Sequence, residues 1–420
     1  RRESMLDFYF NRRDFLRMGS IGAGMSTIGL SDLALSEEEE LALKDKSVVW
    51  LWLGGGPTQF ETFHAPTDFN VPDQFRPVNG LLYDSATNIS LGADWLQTFK
   101  HKDKIVTVNS FTHGDSSHRQ ATHWMMTGHY NGERAQTSNP KYPGFGSIVS
   151  SIYGANTSTG IPTYIKQGGI SGEGPSWLGG AYKPFDPSNK DNLSPRVEIG
   201  RFKSRGELLA ALDKQHEIVS NAANSIGKYT TQAYDTILGT AKLAFNIDKE
   251  PTKTRDAYGN TDIGKQMLLA RRLSEYGTKF ITMHYGGWDM HGNISNALKG
   301  RVPPVDQAIA AFLQDVWEKG LNEKILLVVT GEFGRTKLNG NAGRDHWPAM
   351  SPMLMAGGEY ELGRTVGKAD KSYTPKENPY GPLDVCATLF DHFNIPMSIQ
   401  KVDNGGRPRY LLEGEAQSIL

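Results

Sequence analysis

The chain carries a single cysteine, Cys386, among 420 residues. That excludes an internal disulfide and any zinc site built from clustered thiolates. An excess of one charge is also missing. Lys and Arg number 45 against 46 Asp and Glu, a net charge of −1, so there is no cationic footprint for a nucleic-acid partner. No apolar run has the length and hydrophobicity of a stable membrane span. What the chain does have is glycine, 46 residues, with 21 prolines, the composition of many turns and long loops on which sites are assembled. Its length suffices for a full core in one large domain or a domain with insertions. Cys386 falls in an amphipathic pattern over Pro382–Phe393 and reads as a small core residue.

The N-terminus reads as a targeting segment. Asn11-Arg12-Arg13-Asp14-Phe15-Leu16-Arg17 precedes Met18–Leu35, which is small, Gly-rich and only mildly apolar. A twin arginine followed by Phe-Leu and a weak apolar region resembles a Tat export signal, with an amphipathic surface helix as the alternative. The expectation is a signal over 1–35, a charged linker over 36–46 and one domain over 47–420. The protein is then exported by the Tat machinery to the periplasm or cell surface.

After the linker, strand and helix patterns alternate. Ser47–Leu53, Lys104–Phe111, Lys279–Gly286 and Lys324–Thr330 are apolar and rich in β-branched residues, as buried strands of a parallel sheet are. Pro352–Ala356 is a short late strand. Helical patterns lie at Ala93–His101, His118–Thr127, Arg205–Ile226, Ile263–Tyr276, Val305–Lys319 and Pro382–Phe393. This alternation predicts an α/β protein with a mostly parallel sheet between helical layers. Residues 160–261 are richer in Gly, Pro and polar side chains and are expected to form a cap. Gly259–Gln266 approaches a phosphate-binding loop, but Gln266 stands where Ser or Thr is required and no apolar strand precedes it.

Four strands run into polar, Gly-rich loops, and histidines gather there. Of 11 histidines, His64, His113, His118, His123, His129, His291 and His346 lie in or just after such loops. In open α/β sheets, ligands bind at the carboxyl ends of the strands. Asp289, His291 and His346 are candidate metal ligands, an Asp and imidazole set suited to Zn, Mn or Fe. The alternative for Asp289 and His291 is a helix-capping turn in which the histidine packs on Trp288. Glu332 follows a buried strand directly, where an unpaired carboxylate is costly; it is a candidate ligand or base, or else it pairs with Arg335 or Arg344. His346, beside Asp345, fits a ligand whose second nitrogen is oriented by a carboxylate. Gly54-Gly55-Gly56-Pro57-Thr58 is an anion cradle or a tight turn, and Glu61 and His64 are near enough in sequence to join the same pocket. His118 and Thr122 share a helical face at the start of a helix that favours anions.

These residues carry a family resemblance. GGGPTQFETF (Gly54–Phe63), HRQATHWMMTGHY (His118–Tyr130), WLGGAYKPF (Trp177–Phe185), GGWDMHGN (Gly286–Asn293) and TGEFGRTKLNGNAGRDHW (Thr330–Trp347) resemble the domain-of-unknown-function 1501 family. That family belongs to the alkaline phosphatase/sulfatase superfamily. The resemblance implies an alkaline-phosphatase-like α/β/α sandwich with a metal site at the strand ends. It places Asp289, His291 and His346 at one metal position. Departures are as informative. Phe333 follows Glu332 where superfamily members show an Asp-His pair, Gly54 and Gly55 stand where a metal-binding Asp ends the first strand, and His118 occupies the nucleophile position counted back nine residues from Thr127-Gly128. No Cys-x-Pro-x-Arg stretch exists, so a formylglycine mechanism is not expected.

The expected activity is hydrolysis of a phosphate or sulfate ester, on a small molecule or a polysaccharide, with one divalent metal (Zn, Mn or Ca). Catalytic candidates are Glu332 as ligand or base, Arg119 and Arg335 for the oxyanion, Thr58 or Thr122 as nucleophile, and His118 at the nucleophile position. The alternative is a non-catalytic periplasmic or surface protein that binds a partner through the same cleft.

Overall fold

A computed structural model describes residues 43–67, 71–131, 141–188, 241–370, 373–376, 379–403 and 405–420. The expected signal over 1–35 and the expected helix Arg205–Ile226 lie outside these residues. Thirteen strands are described: β1 (Ser47–Trp52), β2 (Leu81–Asp84), β3 (Ile89–Gly92), β4 (Ile105–Val108), β5 (Tyr164–Gln167), β6 (Phe280–His284), β7 (Ile325–Thr330), β8 (Gly334–Leu338), β9 (Arg344–Trp347), β10 (Met353–Gly357), β11 (Arg364–Val366), β12 (Gln400–Val402) and β13 (Pro408–Tyr410). The main helices are α1 (His118–Thr127), α2 (Phe145–Tyr153), α3 (Thr252–Tyr258), α4 (Asp262–Glu275), α5 (Ile294–Glu318) and α6 (Pro382–Phe393).

Seven strands form the central sheet in the order β11-β4-β10-β7-β1-β6-β5. β1 pairs in parallel with both β6 and β7, β5 with β6, and β11 with β4. Only β10 runs against its neighbours β4 and β7, so the sheet is mostly parallel, as the sequence predicts. Strand alternation divides the core in two. Val49, Leu51, Ile281, Met283, Leu327 and Val329 face α4 and α5, whereas Val48, Trp50, Leu326, Val328, Met353 and Met355 face α1, α2 and α6. A sheet buried on both faces explains why its strands read as continuous apolar runs rather than alternating ones. Buried Cys386 belongs to the second layer.

Several elements depart from expectation. The helix expected at Val305–Lys319 starts at Ile294 and passes through Pro303 and Pro304. Its apolar face, Ile294, Leu298, Val302, Val305, Ile309 and Phe312, is continuous and buried, and this outweighs a cost of about 3 kcal/mol for an internal proline. Ala93–His101 shrinks to one turn at Leu96–Phe99. It begins there because the buried Asp306 carboxylate of α5 accepts from the N–H groups of Gln97 and Thr98 at 2.9 and 2.7 Å, as a capping side chain does. The stretch expected as a cap opens with β5, an edge strand of the main sheet. The end of the expected linker is tied down rather than solvated: Lys46 is buried and meets Glu359 at 2.8 Å, and Asp45 pairs with Lys279 and Lys324. Thr261 caps α4 by accepting from Gly264 N at 3.2 Å, so the discarded phosphate-loop look-alike is a helix start. Among the described residues, no helix is long and apolar enough to cross a membrane.

Candidate metal centre

The carboxyl ends of β1, β4, β6 and β7 deliver their loops to one place. β6 leads to Asp289 and His291, β7 to Glu332 and then to the β8–β9 hairpin that carries Arg335 and His346, and β4 to the loop ahead of α1, whose first residue is His118. Gln59, from the loop after β1, locks the hairpin in place by accepting from Arg335 N at 2.7 Å and donating to Arg335 O at 2.8 Å.

His118, Asp289 and His346 come together so that one ligand atom from each lies within 4.8 Å of the others. His118 Nε2 is 3.4 Å from Asp289 Oδ2, and His346 Nε2 is 3.2 Å from Asp289 Oδ1. His291 adjoins them, with its Nε2 2.8 Å from Asp289 Oδ1 and 3.2 Å from His346 Nε2. The second nitrogen of each ring has its own acceptor. His118 Nδ1 lies 2.7 Å from Glu332 Oε1, His291 Nδ1 2.8 Å from Asp345 Oδ1, and His346 Nδ1 2.8 Å from the Ser116 carbonyl. Assigned from this network, each neutral ring carries its hydrogen on Nδ1 and turns an Nε2 lone pair inward. Arg335 Nη1 meets the His291 Nε2 lone pair at 3.4 Å, whereas the lone pairs of His118 and His346 converge on the Asp289 carboxylate and repel it unless a proton or a further cation lies between them. The residues therefore fit a divalent ion held by two imidazoles and a carboxylate, each ring oriented by an oxygen behind it.

Arg335 holds Asp289. Its side chain is 1% exposed. Nε donates to Gly56 O at 2.7 Å, Nη1 to Arg344 O at 3.1 Å, and Nη2 to Gly55 O and to Asp289 Oδ1, the latter at 2.6 Å. Burial opposes ionisation of Asp289, but the Arg335 hydrogen bond and charge, with His346 and His118, outweigh it and hold the carboxyl at about 2. The Glu332 hydrogen bond raises His118 above the ordinary histidine value, against the opposing effect of burial. Gly55 makes the close packing possible. It sits at φ +115°, donates its N–H to Glu332 Oε1 at 2.8 Å, and a Cβ there would come within 2.6 Å of Asp289 N.

The structure thus brings together Asp289, His291, His346, Glu332, His118 and Arg335. Glu332 Oε1 lies behind His118, and its Oε2 is buried with no hydrogen-bond partner among the described residues. Neither expected arginine partner of Glu332 holds: Arg335 takes Asp289, and Arg344 takes Glu61 at 2.7 Å, with both side chains buried. Asp345 orients His291 rather than its neighbour His346. The Trp288 alternative also fails, since Trp288 is stacked on Trp95 and α5 is preceded by Asn293, not by Asp289. Thr58 donates to Glu61 at 2.6 Å and Thr122 to the His118 carbonyl at 2.5 Å, so both hydroxyls are engaged elsewhere. Glu61 and His64 do not join the site: His64 is buried against the Tyr373 ring, 5.4 Å between centroids. His123 is buried within α1, and His129 stacks on Tyr142 at 4.3 Å. Arg119 is exposed on the first turn of α1. Sequence reasoning missed the Ser116 carbonyl, for which a backbone atom leaves no signal.

The profile of a family described as protein of unknown function (DUF1501) matches residues 45–420. The chain belongs to the DUF1501 family. No curated protein sequence matches this DUF1501 chain. Among solved structures it is similar to the lipoteichoic acid synthase LtaP from Listeria monocytogenes, at 10% identity and a TM-score of 0.42 over 88% of this chain and 78% of that one. It is similar to an alkaline phosphatase superfamily protein from Vibrio parahaemolyticus, at 12% identity and a TM-score of 0.39 over 87% and 75%. A phosphonate monoester hydrolase from Silicibacter pomeroyi aligns at 10% identity and a TM-score of 0.34 over 89% and 78%.

Proposed function

We propose that this DUF1501 protein is a metal-dependent hydrolase of a phosphate or sulfate ester, exported through the Tat machinery to the periplasm or cell surface. The observation that carries the reading is the convergence of His118 Nε2, His346 Nε2 and the Asp289 carboxylate, with an acceptor behind each ring. When bound, a divalent ion supplies Lewis-acid polarisation of the ester and acidifies water. The protein's own groups do the rest. Glu332 and the Ser116 carbonyl orient the two imidazoles, Arg335 fixes Asp289, and Asp345 fixes His291. Arg119, exposed on the first turn of α1 next to His118 and without an ion-pair partner among the described residues, would meet the anion of an ester. With Thr58 and Thr122 engaged, water is the nucleophile: its oxygen bonds to phosphorus or sulfur, the bond to the alcohol oxygen breaks, and the alcohol leaves with a proton. No formylglycine takes part.

Replacing Asp289 and His346 together by Ala is expected to abolish both bound metal and hydrolysis of aryl phosphates or sulfates. Full activity in the double variant would sink the reading. Export is tested by fractionating cells that carry Arg12→Lys and Arg13→Lys together, which should leave the protein in the cytoplasm.

The commitment of both threonine hydroxyls favours a second reading, a periplasmic or surface binding protein without catalysis. Elemental analysis of protein purified without chelators separates the two. No stoichiometric metal, together with no hydrolysis across a broad ester screen, would support the binding role.

A further inference from the structure

Asp289 presents its two carboxylate oxygens to different partners. Oδ2 faces His118 Nε2 at 3.4 Å. Oδ1 faces the Arg335 guanidinium at 2.6 Å, His291 Nε2 at 2.8 Å and His346 Nε2 at 3.2 Å. His346 thus stands between the two sides, and of the two histidines only His291 is reached by Arg335. Arg335 also reaches the ring of His291, with Nη1 3.4 Å from Nε2. Its remaining donors are taken by the carbonyls of Gly55, Gly56 and Arg344. A guanidinium so enclosed cannot swing toward a substrate, and an arginine stays charged at any ordinary pH. The set that contacts it, a carboxylate oxygen, an imidazole nitrogen and backbone carbonyls, is itself a list of cation ligands.

We infer that Arg335 is the resident cation on one side of Asp289, so that the site takes a single divalent ion, on the side of His118 and His346. This rests on the metal reading above and deepens it. Arg335 is therefore a positioning residue rather than an oxyanion donor, and His291 serves the arginine side of Asp289 rather than the ion. Asp289 has one oxygen left to give, which confines it to one bond with the ion. Removing the guanidinium frees Asp289 Oδ1, His291 Nε2 and the carbonyls of Gly55 and Gly56, and so exposes a second place for a cation.

Calorimetric titration of the full chain with Zn²⁺ and with Mn²⁺, checked by elemental analysis after desalting, tests this. The expected result is one ion per wild-type chain. His118→Ala and His346→Ala should each weaken it by about 100-fold or more, as loss of a direct ligand does, whereas His291→Ala should keep one ion with a loss of less than about tenfold. Arg335→Met should take two ions. Arg335→Lys, which returns a cation to the same place, should take one. If Arg335→Met does not fold, the contrast between His291→Ala and His118→Ala decides. Two ions in the wild type, one ion in a folded Arg335→Met, or a loss in His291→Ala equal to that in His118→Ala overturns the inference. A wild-type chain that binds no ion overturns it together with the metal reading. An ion that binds but depends on His291 overturns this inference alone.

Discussion

Glu332 Oε1 accepts from two sides at once, from His118 Nδ1 at 2.7 Å and from the N–H of Gly55 at 2.8 Å. A buried carboxylate is costly unless it is paired and hydrogen-bonded, and this one joins the loop after β1 to the start of α1 through a single oxygen. Its charge stabilises the imidazolium form of His118 in the free protein, and its position fixes which nitrogen of His118 faces Asp289.

Glu332→Gln keeps an acceptor at that position and removes the charge. Ion affinity should fall by about 10- to 100-fold, the usual effect of losing an outer carboxylate, with stoichiometry unchanged. NMR titration of the metal-free variant should show His118 releasing its proton at lower pH than in the wild type. An unchanged His118 titration would mean that the contact does not govern that ring.

Gly55→Ala tests the close approach of the two loops. A methyl group there meets Asp289 N at 2.6 Å and Trp288 N at 2.9 Å, at a φ of +115°. Such backbone conformations cost non-glycine residues about 1–3 kcal/mol, and relief requires the Trp288–Asp289 backbone, which carries the Asp289 carboxylate, to shift. Loss of metal binding with a modest drop in thermal stability is expected from calorimetry and circular dichroism. Unaltered metal affinity would show that Asp289 tolerates the displacement.

Much of this centre was legible in the sequence because strand ends are legible. Apolar runs followed at once by Gly, Asp, Glu and His mark both the sheet and its ligand-binding edge, and Asp289, His291, His346, Glu332 and His118 all meet there. What each of them touches was not legible. Whether Asp345 orients His346 beside it or His291 far earlier in the chain is decided by how β9 pairs with β8, and strand register has no local sequence signal. Arg335 and Arg344 are similar side chains in one hairpin, yet one takes Asp289 and the other Glu61. β5 was missed for a different reason: four residues, two of them polar, carry too little pattern to stand out as an edge strand.

Glu61 belongs to stability rather than to the site. Its carboxylate meets Arg344 Nη2 at 2.7 Å with both side chains at 1% exposure or less, and it accepts from Thr58 at 2.6 Å. Breaking a buried pair strands the remaining charge at a cost of about 3–5 kcal/mol. Glu61→Ala should lower the denaturant midpoint accordingly, because Arg344 is left facing only carbonyls and the Phe60 ring. A chemical denaturation curve that superimposes on the wild type would show that the pair contributes nothing net.

Acid sensitivity should come from histidines outside the centre. Burial lowers His64 to about 3, and His123 and His392 to about 4. These folded values lie below the ordinary value of about 6.5, so between the two the unfolded chain binds more protons than the folded one. Stability is then full above about pH 6.5 and falls as pH drops toward the folded values. For His64 alone the loss at pH 5 is about 2 kcal/mol. His64→Phe keeps an aromatic ring against Tyr373 and removes the titrating group, so it should flatten part of the fall in melting temperature between pH 7 and pH 5. A variant whose melting temperature falls as steeply as that of the wild type would place the acid sensitivity elsewhere, with His123 and His392 the next to replace.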